Sequence, residues 1–138
     1  MVKALIMPRI VHFSDAATIG IHSLIVLARD ERSYNAIQLS EKIGASKFHI
    51  GKVLQRLVKD GFLNSSRGPT GGFSIKKKPS EIFIYDVYRS IEGEIDYGKC
   101  PHEDQVCPTD MCIRDNLINK ISKDFVTYLK QYTIADYI

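Results

Sequence analysis

The sequence predicts a mainly α-helical fold with one small β-hairpin: a winged helix-turn-helix followed by a long C-terminal helix suited to dimerisation. Three observations predict it. Two short amphipathic stripes, around Ala36–Ile43 and Ile50–Val58, are separated by a glycine-bearing turn. A turn-rich segment flanked by apolar residues follows at once. A long apolar stripe then runs from about Met111 to Tyr132.

The first element expected is a helix over SDAATIGIHSLIVLA (Ser14–Ala28). Ser14 can cap it, and Asp15 suits the positive first turn. Ile19, Ile21, Leu24, Ile25, Leu27 and Ala28 wrap around more than one face, so this helix should be buried on several sides. Within Ser33–Leu63, Ala36, Ile37, Leu39 and Ile43 form a short stripe. Gly44 stops it by taking the left-handed conformation. Ser46 is expected to cap the next helix, where Ile50, Val53, Leu54, Leu57 and Val58 repeat on one face. Asp60 and Gly61 close it. Two short helices joined this way form a helix-turn-helix.

Phe62–Lys78 reads as the wing. Phe62 and Leu63 open one strand, Phe73, Ser74 and Ile75 alternate in the other, and Arg67-Gly68-Pro69-Thr70-Gly71-Gly72 supplies the turn. Pro79-Ser80 marks a boundary. Ile82–Gly93 is a further helix, ended by Gly93. The last helix carries Leu117, Ile118, Ile121, Phe125, Tyr128, Leu129 and Tyr132. A small domain rarely has enough core to cover so long a terminal helix. An antiparallel helix from a second copy is expected to bury it.

The 138 residues are 44% hydrophobic and 25% charged, ordinary values for a globular chain. No apolar run reaches the ~18 residues of a membrane span. Pro8 and Arg9 interrupt the apolar patch near the start, and no signal peptide is read there. A cytoplasmic protein with reduced thiols is expected, and an odd count of 3 cysteines argues against a closed disulfide framework. The net charge of +3 is unevenly placed. Residues 1–80 hold 13 Lys/Arg against 5 Asp/Glu (+8), and residues 81–138 hold 6 against 11 (−5). The basic half points to a polyanion partner. We expect a DNA-binding winged helix-turn-helix over 1–80. Over 81–138 we expect a helix, a cysteine-bearing loop and a dimerisation helix.

The second helix of the pair is the natural groove reader. Ser46, Lys47 and Phe48 occupy its first turn, where backbone N–H groups attract phosphate. Lys52 and Gln55 can meet base edges, Phe48 can pack on a thymine methyl, and Arg56 lies on the same polar face. Gly51 lets a DNA backbone come close. Arg67, at the wing tip, can enter a narrow minor groove. His22 and His49 are assigned no role.

All three cysteines fall in KCPHEDQVCPTDMC (Lys99–Cys112), spaced Cys-x6-Cys-x4-Cys at Cys100, Cys107 and Cys112. Soft thiolates favour zinc, copper(I) and iron–sulfur clusters. Zinc prefers tight Cys-x2-Cys pairs, which are lacking here. Gaps of six and four allow a loop to wrap a larger inorganic core, with Pro101 and Pro108 stiffening it after two ligands. A purely thiol-based redox switch, or another metal, is the alternative. Simple packing of the cysteines is disfavoured by the polar neighbours His102, Glu103, Asp104, Gln105 and Asp110.

Taken together, FSDAATIGIHSLIVLA, LSEKIGASKFHIGKVLQRLVKDGFLNSSRGPTGGF, PSEIFIYDVYRSIEG, the cysteine run and TIADYI resemble the IscR/NsrR group of bacterial winged-helix regulators, the Rrf-two family. The likeness covers the chain from about residue 9, and RGPTGGF and IYDVYRSIEG are its specific signatures. It implies a dimeric transcription regulator of double-stranded DNA, expected to be a repressor. It also implies an iron–sulfur cluster (2Fe-2S or 4Fe-4S) on Cys100, Cys107 and Cys112 that senses nitric oxide, iron or redox state. Cluster-binding members usually show five or six residues in each gap, whereas the second gap here is four. IscR-like members place a histidine three residues after the last cysteine, where this chain has Asp115. NsrR-like members complete the cluster with an aspartate near the start of the first helix. Asp15 stands in the matching FSD context and is the fourth ligand this likeness implies. Asp115, one helical turn beyond Cys112, competes with it.

The alternative is the same fold acting without a cluster, through cysteine oxidation or a protein partner. A small electron-transfer protein would need neither the basic half nor the wing. Paired carboxylates, a Ser-His-Asp set and a phosphate loop are absent from the sequence, so neither catalysis nor a small-molecule substrate is expected.

Overall fold

A computed structural model describes residues 13–95, 108, 110 and 112–138, without the side chains of 113–116. Helix α1 spans Asp15–Asp30. The Ser14 hydroxyl sets its start by accepting from the Ala17 amide at 3.0 Å. Ala17, Ile19, Leu24, Val26, Leu27 and Ala28 are buried, and α1 packs against both helix α3 (Lys47–Lys59) and helix α4 (Ile84–Glu92). Gly20 permits that closeness: a methyl there would collide with Ile91 Cδ1 of α4 and touch Val53 of α3.

Helix α2 spans Ala36–Ile43. Asn35 and Gln38 form a reciprocal capping box at its start, and Gly44 ends it with φ 77°. Ile37, expected in the apolar stripe, is exposed. It lies two residues from buried Leu39, about 200° around the helix, and so faces the other way. Ser46 stands at the cap of α3 as expected, but its hydroxyl makes no capping bond. Ile50, Val53, Leu54 and Leu57 of α3 are buried.

The wing is the antiparallel pair β1 (Leu63–Ser66) and β2 (Gly72–Ile75), with Leu63 opposite Ile75 and Ser66 opposite Gly72. Phe62, expected in the first strand, is buried just ahead of it. The expected alternation in β2 is blurred, since Phe73, Ser74 and Ile75 are all half-buried. Tyr34 covers the outer edge of β2, exchanging amide–carbonyl bonds of 3.1 and 2.8 Å with Phe73.

A 3₁₀ turn over Pro79–Glu81 leads to α4. Ile82 and Phe83, expected inside that helix, are extended instead. They run beside the end of the chain: the Ile134 amide donates to the Ile82 carbonyl at 2.9 Å, and the Ile84 amide to the Tyr132 carbonyl at 3.0 Å. Helix α5 spans Ile113–Gln131 and a second 3₁₀ turn spans Ile134–Tyr137. Met111, the expected helix start, lies outside the described residues. Leu24, Leu39, Ile50, Leu54 and Leu57 join Ile82, Val87, Leu129 and Ile134 in one core. Trimming Leu54 to alanine would cost about 2–5 kcal/mol.

Within its own chain α5 is only partly covered. Val126 and Leu129 are buried, and Phe125 meets the rings of Phe13 and Tyr88 edge-on at 5.8 and 5.4 Å. Leu117 and Tyr128 are 54% and 55% exposed. Among the described residues, no helix is long and apolar enough to cross a membrane.

Candidate nucleic-acid interface

The buried face of α3 fixes which way its polar face points. With Ile50, Val53, Leu54 and Leu57 inward, residues Ser46, Lys47, Phe48, Lys52, Gln55 and Arg56 are all exposed. Phe48 is 74% exposed, the most open large apolar side chain among the described residues. The Lys47 ammonium lies 5.2 Å from its ring centroid, a cation–π contact. Beside Gly51, no atom lies within 4 Å of where a Cβ would stand. Because Ser46 does not cap α3, the first-turn amides keep their donors for an anion.

Arg67 is exposed at the wing tip. The tip turns through Gly68, whose φ of 102° excludes other residues at low cost, and the Gly71 amide bonds the Gly68 carbonyl at 2.9 Å. At the other end of the turn, a Cβ on Gly72 would stand 2.7 Å from the Tyr34 carbonyl carbon. The wing is therefore seated on Tyr34.

Tyr34 belongs to a cluster that sequence reading missed. Its hydroxyl donates to Asp30 Oδ2 at 2.6 Å, and Lys42 Nζ and Arg29 Nε each lie 3.3 Å from the same carboxylate. The Tyr34 hydrogen bond is the main reason Asp30 is held down to about 2, with the two cations helping. A second missed link joins α3 to α4. Asp60 Oδ2 accepts from Arg56 Nε at 3.2 Å and from Ser90 Oγ at 2.5 Å. The Ser90 bond leads the causes that hold Asp60 below the usual carboxylate range. Neither link has a sequence signature, because one couples unlike elements and the other spans thirty residues.

Asp15, Thr18 and His22 of α1 face Gly44, Ser46 and His49 across a cleft of about 460 Å³. The cleft therefore lies beside the start of α3. Cys112 is half-buried and immediately precedes α5. Cys100 and Cys107 lie outside the described residues, as does the Asp115 side chain. Among the described residues, no three His, Cys, Asp or Glu side chains are grouped to hold a metal ion.

Residues 13–138 match the model of the family described as Rrf2, iron-dependent transcriptional regulator. The chain is 36% identical over 76 residues to YffB of Lactococcus lactis subsp. lactis (strain IL1403), named as an HTH-type transcriptional regulator; the match spans 54% of this chain and 49%, about half, of that protein. It is 26% identical over 114 residues to the HTH-type transcriptional regulator IscR of Serratia proteamaculans (strain 568), covering 83% of this chain and 70% of that one. The solved structure of CymR, the global cysteine regulator of B. subtilis, superposes with a TM-score of 0.76 at 21% identity, covering 92% of this chain and 95% of that one.

Proposed function

Because this chain belongs to the Rrf2 family of iron-dependent transcriptional regulators, we propose that it represses transcription by binding a short palindromic DNA site as a homodimer. Its DNA affinity is set by an iron–sulfur cluster on Cys100, Cys107 and Cys112. The observation that carries the DNA reading is the exposed face of α3, where Ser46, Lys47, Phe48, Lys52, Gln55 and Arg56 stand clear of the core beside the Arg67 wing. Lysine and arginine there neutralise phosphates, and Lys52 and Gln55 are the base readers. Residues 1–80 read the DNA. Residues 81–138 hold the sensor and the dimer helix, and the open Leu117 and Tyr128 of α5 support that division.

The donor set suits the cluster chemically. Three thiolates are soft ligands for iron, and Cys112 sits immediately before α5. Asp15 is exposed and is the proposed fourth ligand; a hard carboxylate oxygen is readily displaced. When bound, the cluster supplies a centre that reacts with nitric oxide and oxidants. Protein purified without oxygen should be brown and contain iron and sulfide, and its DNA affinity should differ from that of the iron-free form. Colourless, iron-free protein from that preparation overturns the cluster reading. Binding without salt dependence, or without preference over random DNA, overturns the DNA reading.

A second reading keeps the fold and the DNA but replaces the cluster by cysteine oxidation. The short second gap of four residues and Asp115 after Cys112 favour it.

A further inference from the structure

The last turn of α4 touches three places at once. Ser90 Oγ donates to Asp60 at the end of α3. Ile91 fills the socket over Gly20 and beside Val53. Glu92 accepts from the Ser14 hydroxyl at the start of α1, next to Asp15. Gly93 then ends the helix with φ 85°, and Cys100 follows seven residues later.

Asp60 is an odd residue to find where it is. A carboxylate at a helix C-terminus faces the negative end of the dipole. It also stands one turn from Arg56, on a helix proposed to approach phosphates. An exposed i,i+4 pair with Arg56 is by itself a weak reason for its presence. What distinguishes this pair is the third member: Ser90 and Arg56 bond the same oxygen, Oδ2, from different helices. The shared oxygen ties up only the Nε–H of Arg56. The four N–H groups on its terminal nitrogens have no partner among the described residues.

We propose that Ser90 and Asp60 act as a latch that orients the Arg56 guanidinium for a DNA phosphate, and that the state of the cysteine segment reaches DNA affinity through it. The second half rests on the function proposed above. Asp60 and Ser90 are positioning residues: they touch Arg56 or one another, and DNA touches Arg56. A shift of α4 that withdraws Ser90 leaves Asp60 and Arg56 to move freely, and the phosphate contact is lost.

The experiment is a double-mutant cycle on the iron-free protein, with DNA titrated over a range of salt. Arg56→Ala should lower affinity and reduce the salt slope by about 0.9, the value of one phosphate. Ser90→Ala should reproduce part of that loss, Ser90→Thr should restore it, and Ser90→Ala should add nothing in the Arg56→Ala background. Parental affinity and slope in Ser90→Ala, or simple additivity of the two losses, overturns the latch. The same variants are then compared before and after reconstitution with ferrous iron and sulfide. If the parent changes DNA affinity and Ser90→Ala changes it equally, the coupling is wrong. If the parent itself does not respond, the cluster reading fails, while the cycle still judges the latch.

Discussion

The Tyr34 hydroxyl donates to Asp30 Oδ2 at 2.6 Å, and through it the end of α1 holds the wing. The ring is buried under the Arg32 guanidinium at 4.6 Å and the Lys42 ammonium at 5.1 Å. Its backbone is the rung on which Phe73 of β2 pairs. One tyrosine therefore joins α1, α2 and the hairpin before any DNA is present.

That arrangement makes acid stability depend on Asp30. Its folded pKa is lowered to about 2 from 3.8, first by the Tyr34 bond. A carboxylate depressed on folding stabilises the protein above its unfolded pKa and loses that contribution as pH falls through the folded value. Asp30→Asn should therefore melt at a lower temperature than the parent at neutral pH. The gap should close between about pH 4 and about pH 2. Parallel melting curves across that window would show that the carboxylate charge plays no part.

The open face of α5 yields a prediction about assembly. Leu117 is more than half exposed in the single chain, so a glutamate there would remain largely hydrated in a monomer, and Ile121 is half-buried, so a glutamate there would keep part of its water. In a helix–helix interface both charges would lose water, at a cost of several kcal/mol. The Leu117→Glu/Ile121→Glu double variant should stay folded by circular dichroism. In sedimentation its dimer dissociation constant should rise by at least about a hundredfold, or ~3 kcal/mol. Phe125 is a poorer probe, because it already packs on Phe13 and Tyr88 in its own chain. Unchanged dimerisation would place the interface away from this stripe.

The helix pair was readable because its physics is local. The face from Ile50 to Leu57 fixes one helix, and the left-handed Gly44 fixes the turn ahead of it. Periodicity also marked the apolar stripe of α5, of which Leu117, Ile118 and Tyr128 are exposed while Leu129 is buried in its own chain. What failed in sequence depends on partners distant along the chain. Ile82 and Phe83 look helical by composition, yet the chain end offers them backbone partners at Tyr132 and Ile134 and draws them out straight. Ser90 looks like an unremarkable helix serine until α4 is laid against the end of α3. Of the cysteines, the described residues place Cys112 alone.

Asp15 offers a test of the fourth ligand. It is exposed on the first turn of α1, with the cleft to Ser46 and His49 beside it. A ligand there would join the cluster to the helix that packs on α3. Anaerobic reconstitution of Asp15→Ala should still take up iron and sulfide on three thiolates, with an altered optical spectrum and a changed response to nitric oxide. Asp115→Ala should match the parent. The reverse pattern would assign the ligand to Asp115.

Gly51 separates stability from DNA affinity in a single residue. Glycine inside a helix is destabilising by about 0.5–1 kcal/mol relative to alanine, and Gly51 stands in the fifth position of α3 with no positive φ to require it. A Cβ there would touch nothing within 4 Å. Gly51→Ala should therefore raise folding stability by about that amount, read as a higher urea midpoint with an unchanged slope. The same open space is where a DNA backbone would lie if α3 enters the major groove. A methyl would push the backbone outward, and close contacts from Lys47 and Lys52 would lengthen with it. Affinity for the specific site should fall about tenfold, or ~1.4 kcal/mol, while non-specific binding, which is looser, should change little. A variant that is more stable and binds its site as tightly as the parent would show that α3 does not approach DNA along the Gly51 side.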